Sequence, residues 1–548
     1  MSRIQTPSSP LASKSRRFTA LIFICLAELL VVLDNTVVNV ALPTMSVELL
    51  ASVSDLQWIV DAYTLTFAGF LLTFGHLGDR FGRRKVMTVG LLGVGAMSLV
   101  GALSGNLEQV IFARAAMGVF AAAVFPATLA MITNIFTDTK ERAIAIAAWT
   151  AMAGFAIAIG PTAGGWLLEH FSWHSVFWMN IPAAVLVVIG VLLVVPESKA
   201  SHVGRFDVTG TGLSLAGIVI LVWTIIDAPH RGWLSATSLI GYVVSVALLA
   251  GFVAWELRTP SPILNMELFR IRRFSLPALA IAVSYFSMFG FLFLITQYFQ
   301  GVREYSPLEF GLHSLPFAAA VAVGAPVATL AAQRFGTTAV ILLGLLVLSG
   351  GMYLAGQTTV ETPYLGPVVI SMVLMGLGLA IVQGPATDSI MSSVPLDEAG
   401  AGSAVNDTTR ELGGTLGVAV IGSIVASYYT SKIAPIVENI PETIMNATEK
   451  GFARESVLSV IEIRNRDINP LFDQQKENLI LTMKTACLEG FSIASYFTVA
   501  AALVTALLIA VFLPWRPGEN GSLLNAFTSK EPEPAEGSSP RPESTATR

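Results

Sequence analysis

Apolar residues in this chain gather in long unbroken runs, with polar and turn-forming residues between them. Fourteen runs approach the roughly 20 residues that a helix needs to cross a bilayer. They fall near 18–42, 57–77, 86–105, 109–134, 143–168, 174–195, 208–227, 236–256, 274–300, 309–333, 338–356, 365–391, 402–428 and 486–514. The pattern predicts an all-α integral membrane protein with fourteen transmembrane helices. An even number of crossings puts both chain ends on one face.

A faint repeat organises these spans. "GDRFG" follows the second and "AQRFG" follows the tenth, aligning Arg80, Phe81 and Gly82 with Arg334, Phe335 and Gly336. The two sites are equivalent if the chain is six spans, two inserted spans and six more. Such repeated halves with a site between them are the usual plan of secondary transporters. The expected units are a cytoplasmic tail 1–17, a six-helix bundle 18–196, two inserted helices with their loops in 197–270, and a second bundle 271–514. The second bundle includes a long outer loop, 430–484, with some helix of its own. Residues 515–548, ending "EPEPAEGSSPRPESTATR", read as a disordered cytoplasmic tail.

Composition fits the pattern. The 548 residues are 54% hydrophobic and 13% charged, with a mean hydropathy of +0.69. A soluble domain carries about 25% charged residues. The two cysteines, Cys25 and Cys487, lie in or beside apolar runs and read as packing residues. No Cys/His metal spacing is present, and no metal or other cofactor is expected. Walker A, HExxH and nucleophile-elbow patterns are missing too. The first apolar run is too long for a signal-peptide core.

Basic residues set the orientation. With the N-terminus in the cytoplasm, the inner segments hold Lys14, Arg16, Arg17, the run Arg80 to Lys85, Lys140, Arg142, Lys199, Arg205, Arg270, Arg272, Arg273 and Arg334. Short outer loops hold only Arg231 and Arg303. Positive charge stays inside, so both termini are expected in the cytoplasm. Trp173, Trp178 and Trp515, near span ends, read as interface anchors.

The chemistry lies in ionisable residues within spans. Such groups are expensive in lipid and face a bundle interior or a wet cavity. Asp34, Asp61 and Arg114 all fall in the outer halves of their helices. A carboxylate beside Arg114 stays ionised, whereas one alone in an apolar site resists ionisation. A group moved between those settings can take up and release a proton. The alternative is a fixed ion pair that only joins helices. Glu28, Asn35 and Asn39 share one stripe of the first helix, and Asp34 points about 120° away. Asp407 and Glu411, four apart in "NDTTRELGG", share a helix face that an organic cation or a proton could use, with Arg410 between them.

Two further motifs fit tight packing and, equally, a gate. "GHLGDRFGRRK" is a tight turn: Gly75 and Gly82 permit close approach, Asp79 is placed to accept at a helix N-terminus, and Arg80 and Arg83 anchor the inner face. "GFAIAIGPTAGGWL" brings Gly160, Pro161, Gly164 and Gly165 together, a set that lets helices touch and kink.

These motifs resemble the major facilitator superfamily, and within it the fourteen-span drug:proton antiporters. "GHLGDRFGRRK" is similar to the superfamily's loop motif. "FARAAMGVFAAAVFP" resembles the motif whose membrane-embedded arginine, here Arg114, serves proton transfer. "GFAIAIGPTAGG" resembles the antiporter motif of helix five. "LDNTVVNVALP", "WHSVFWMNIP" and "YSPLEFGLHSLP" also match. One departure stands out: Gln333 replaces the expected Asp in the second-half loop motif.

The resemblance implies two six-helix bundles plus two additional helices, rocking about a midplane cavity. It implies a proton-coupled antiporter that exports lipophilic, cationic drugs across the inner or plasma membrane, powered by the proton gradient. Asp34, Asp61 and Arg114 would couple protons. Glu28, Asn35, Asn39, Asp407 and Glu411 would bind substrate. Gly75, Asp79, Arg80, Gly82, Arg83, Gly160, Pro161, Gly164 and Gly165 would gate. The expected partners are the lipid bilayer, small lipophilic or cationic molecules and protons, with no nucleic acid, and a monomer is expected. A different cargo (lipid, siderophore or amino acid) stays open, as does sodium coupling. A receptor or embedded enzyme is disfavoured, because no catalytic grouping stands out.

Overall fold

The computed structural model describes residues 13–199, 206–260, 262–394, 399–442, 445–464 and 473–515. Thirteen helices among them are long and apolar enough to cross a membrane. They are α1 (Lys14–Leu49), α2 (Val53–Phe81), α3 (Arg83–Ala102), α4 (Leu107–Ile135), α6 (Ser175–Val194), α7 (Val208–Arg231), α8 (Ala236–Glu256), α9 (Arg272–Val302), α10 (Pro307–Phe335), α11 (Thr337–Gly356), α12 (Tyr364–Ser392), α13 (Ala399–Glu438) and α14 (Asp473–Phe512). The helix α5 (Thr139–His170), packed against α1, is the fourteenth. Helices suit a bilayer because each pairs its own backbone polar groups. The expected disordered stretch 516–548 and the first twelve residues lie outside the described residues.

Two bundles form, α1–α6 and α9–α14, and their internal pairings repeat with an offset of eight helices. α1 packs on α5 as α9 packs on α13, and α2 on α4 as α10 on α12. α3 meets α4 and α6 as α11 meets α12 and α14. The repeat seen in the sequence is therefore structural. Gly82 (φ +114°) and Gly336 (φ +87°) both join consecutive helices in backbone that favours glycine. Arg80 lies 5.5 Å over Phe81 and Arg334 lies 5.6 Å over Phe335. Ser52 with Asp55 caps α2, and Ser306 with Glu309 caps α10.

Between the bundles run two equivalent seams, α2 against α13 and α5 against α10. α7 lies along the first seam, where Val222, Ile225 and Ile226 cluster with Leu65 of α2 and Ala419 of α13. α8 packs mainly on α7 and is the most exposed of the spanning helices.

The expected loop 430–484 is mostly helix. α13 continues to Glu438, α14 begins at Asp473, and the short helices Ala447–Glu455 and Ser459–Arg464 lie between. Charged residues such as Lys432, Glu438, Lys476 and Lys484 end the apolar runs, but they do not end the helices. Trp173 is also not an interface anchor: it is 1% exposed and stacks on His174.

Candidate functional site: a buried polar network between the bundles

Asp34, on α1, is held from two other helices. Arg114 Nη1 of α4 donates to its Oδ2 at 2.6 Å, and Asn180 Nδ2 of α6 donates to its Oδ1 at 2.6 Å. Arg114 Nε donates to the Ile59 carbonyl of α2 at 3.1 Å, and Nη2 reaches Asn35 Oδ1 at 3.4 Å. The guanidinium also lies 4.2 Å from the centre of the Tyr63 ring. Asp34 and Arg114 are 1% and 0% exposed. Breaking such a pair on one side strands a buried charge, at a cost of about 3–5 kcal/mol.

Asp61 has the opposite surroundings. It is 0% exposed, and among the described residues neither carboxyl oxygen has a hydrogen-bond partner. Its helix neighbours Gln57 and Thr64 place it on the face of α2 that meets α13. Gln57 Nε2 donates to the Val418 and Ala419 carbonyls at 2.9 and 2.8 Å, and Thr415 Oγ1 donates to Thr64 Oγ1 at 2.9 Å. The seam thus closes around Asp61 on both sides.

A second group of acids lies between α1 and α13. Asp407, Arg410 and Glu411 on α13 are half-buried, and Arg410 Nη1 lies 3.7 Å from Asp407 Oδ1. Glu28 of α1, fully buried and without a hydrogen-bond partner among the described residues, has Asp407 and Arg410 as its electrostatic neighbours. Tyr285 of α9 lies beneath Arg410, 5.6 Å from guanidinium carbon to ring centre. Three carboxyls around one guanidinium leave the cluster net negative when ionised. Asn39 stands apart, deeper along α1. It donates to the Asn35 carbonyl at 2.8 Å and lines a cavity of about 30 Å³ with Thr36, Pro161, Phe291 and Phe310. Asn35 turns instead towards Arg114, so the expected stripe of Glu28, Asn35 and Asn39 divides among three environments.

The small residues of α5 serve two neighbours. A Cβ on Gly160 would stand 2.1 Å from Thr36 Oγ1, and one on Gly164 would stand 3.1 Å from Val37 Cγ1, both on α1. A Cβ on Gly165 would stand 2.4 Å from the Pro307 carbonyl, and one on Gly311 would stand 2.5 Å from the Pro161 carbonyl. Thr162 Oγ1 donates to the Gly311 carbonyl at 3.2 Å across the same seam. These contacts lie towards the face where α13 ends at Glu438 and α14 begins at Asp473. Gln300 Nε2, reaching the Val40 carbonyl at 3.0 Å, lies there too. Among the described residues, no hydrogen bond joins the two bundles at the face that carries the termini.

At that face the loop motif differs from expectation in one respect. Asp79 lies inside α2 and receives Arg83, Nε at 2.8 Å and Nη2 at 2.7 Å, rather than a helix N-terminus. Glu197, which the sequence reading missed, takes the capping role: its Oε1 accepts from Arg84 N of α3 at 3.0 Å. Arg83 Nη1 also donates to the Ala130 carbonyl of α4 at 3.3 Å. Gly75 faces α4 at Pro126, where a Cβ would make ordinary contact at 3.7 Å. Among the described residues no group of three or more metal-ligating side chains occurs.

A fourteen-helix fold of two repeated bundles with buried charges between them is that of a secondary transporter. The chain belongs to the Major Facilitator Superfamily, whose profile matches residues 24–418; it is a membrane transporter and not an enzyme. It is 36% identical over 453 residues to the multidrug efflux pump LfrA of Mycolicibacterium smegmatis, covering 82% of this chain and 88% of that one. It is 34% identical over 424 residues to the tetracenomycin C resistance and export protein of Streptomyces glaucescens, covering 77% and 78%. The methyl viologen resistance protein SmvA of Salmonella typhimurium is 32% identical over 420 residues, covering 76% and 84%. Among solved structures, a bacterial homologue of the lysosomal transporter Spinster, inward-facing and occupied, matches with a TM-score of 0.62 at 15% identity, covering 90% of this chain and 98% of that one. A D-xylose–proton symporter matches at 0.57 and 13%, covering 91% and 98%.

Proposed function

We propose that this transporter exports lipophilic cations in exchange for protons, by alternating access across the inner or plasma membrane. The basic residues at the termini face support a cytoplasmic placement of both ends. In that orientation the seams are sealed towards the outside and the cluster of Glu28, Asp407 and Glu411 serves the cytoplasm. The bundles within 18–196 and 271–514 rock against each other, with the 197–270 pair riding on the α2–α13 seam. The names of the relatives support drug-like cargo, and the net negative cluster favours cations.

The carrying observation is the unequal treatment of two buried aspartates. Asp34 is fully partnered, by Arg114 on one carboxyl oxygen and Asn180 on the other. Asp61 has no partner, and an ionised carboxylate sealed without one costs several kcal/mol or more. The α2–α13 seam therefore closes over Asp61 in its neutral form and opens to let outside water reach it. Cation and protons compete for carboxylates, and each favours a different state of the seams. Exchange of one monovalent cation for two protons moves one net charge, worth about 2.3 kcal/mol per 100 mV.

Everted vesicles test this reading. A fluorescent lipophilic cation should accumulate when a pH gradient is imposed and should not respond to sodium. Asp34→Asn should abolish that accumulation. Gradient-driven uptake that survives in Asp34→Asn, or follows sodium alone, would refute the proposal.

A further inference from the structure

Asn180 is fully buried on α6 and gives both protons of its amide nitrogen away. Nδ2 donates to Asp34 Oδ1 at 2.6 Å and to Ser98 Oγ of α3 at 2.9 Å. Its carbonyl oxygen, Oδ1, is buried and has no partner among the described residues. An idle buried acceptor is costly. Beside it, the Ser98 hydroxyl points to a weak acceptor, Met117 Sδ, at 3.9 Å.

We propose that Asn180 is a reversible positioning residue, donating to Asp34 when Asp34 is a carboxylate and, after its amide turns over, accepting from Asp34 when Asp34 is an acid. The proposal rests on the reading of Asp34 as a coupling carboxylate. A carboxylate only accepts hydrogen bonds, whereas a carboxylic acid must also donate one. An asparagine side chain offers a donor and an acceptor on the same centre, related by a half-turn of the amide. Lysine or arginine in its place could serve the ionised form alone.

The sequence of events balances. A hydronium ion gives its proton to Asp34 Oδ1, the oxygen that faces Asn180, and leaves as water. The amide turns, so that Asn180 Oδ1 stands where Nδ2 stood and accepts the new O–H. Ser98 rotates its own O–H from Met117 Sδ to the same carbonyl. Arg114 keeps its bonds to Asp34 Oδ2 and to the Ile59 carbonyl throughout. Loss of the proton reverses each step. Neither end state then strands a hydrogen-bonding group of Asp34, and the proton's affinity is set by the difference between a charge-assisted bond and a neutral one. The charged and titratable groups around this centre are Arg114 from α4 and Tyr63 from α2, with Glu411 of α13 electrostatically linked to Tyr63. α6 and α3 contribute the neutral Asn180 and Ser98.

The test is the pH dependence of proton-driven uptake of a fluorescent lipophilic cation into everted vesicles, for wild type, Asn180→Leu and Asn180→Gln, with Asp34→Asn as control. Asn180→Leu removes a strong bond to the carboxylate and a weaker one to the acid. Its pH midpoint should move to higher pH by about half a unit to one unit. Asn180→Gln, which keeps donor and acceptor, should return the midpoint towards wild type. If Asn180→Leu fails to insert, Asn180→Ala carries the same expectation. An unchanged midpoint in the apolar variant, with Asp34→Asn inactive, overturns the role of Asn180 and leaves the transport reading standing. Coupled uptake in Asp34→Asn overturns the transport reading instead, and this inference with it.

Discussion

Asp34 and Asp61 are both buried aspartates in the first bundle, and the protein treats them in opposite ways. Arg114 and Asn180 satisfy Asp34 from other helices of its own bundle. Asp61 faces the other bundle and, among the described residues, has no hydrogen-bond partner for its carboxyl. The first environment persists as long as the bundle does. The second exists only while α2 and α13 are together. One acid is governed by partners within its bundle and the other by the seam, the contrast on which the proposed proton coupling rests.

Substitutions can break this contrast, and Asp34→Asn should act most strongly. It removes the charge opposite Arg114, so gradient-driven transport should vanish. Stability should fall by about 3–5 kcal/mol, as for other one-sided breaks of buried pairs. The double variant Asp34→Asn with Arg114→Gln should recover part of that loss, read by thermal unfolding in detergent.

Asp61→Asn should also abolish coupling, yet with stability within about 1 kcal/mol of wild type, since no partner is stranded. The seam should stay shut, which accessibility of a cysteine at Thr64 to a reagent added from outside would report as reduced labelling. Increased labelling would contradict the role given to Asp61.

Gly165→Val places a side chain against the Pro307 carbonyl, where even a Cβ would stand 2.4 Å away. It should hold the α5–α10 seam apart, so that a Thr162→Cys variant is labelled faster by a reagent added from outside than in the glycine background. Glu411→Gln should have a smaller effect, weakening binding of a monovalent lipophilic cation by about tenfold, the worth of one half-buried charge of about 1.4 kcal/mol. Transport of a neutral substrate should be unaffected by it.

Much of the architecture was legible because lipid forces it. Long apolar runs became spanning helices, and "GDRFG" with "AQRFG" marked a repeat that Gly82 and Gly336 now show in their backbone. The ionisable residues stood out against that apolar background. Their partners did not: Asn180 lies 146 residues from Asp34, and no periodicity along the chain links them. Glu197 was equally hidden, because it caps α3 from the segment after α6, 113 residues away. In the 430–484 region, where some helix was expected, the extent of that helix was not legible, since hydropathy reports where lipid ends and not where a helix does. Asp79 shows that a good capping residue type is taken by a stronger partner when Arg83 stands one turn away.

The most direct measurement is proton release from the purified protein in weakly buffered detergent when a lipophilic cation is added. Wild type should release protons in a saturable way, and Asp34→Asn and Asp61→Asn should each release fewer while still binding the cation. Release equal to wild type in both variants would contradict the assignment of the exchanged protons to these two aspartates.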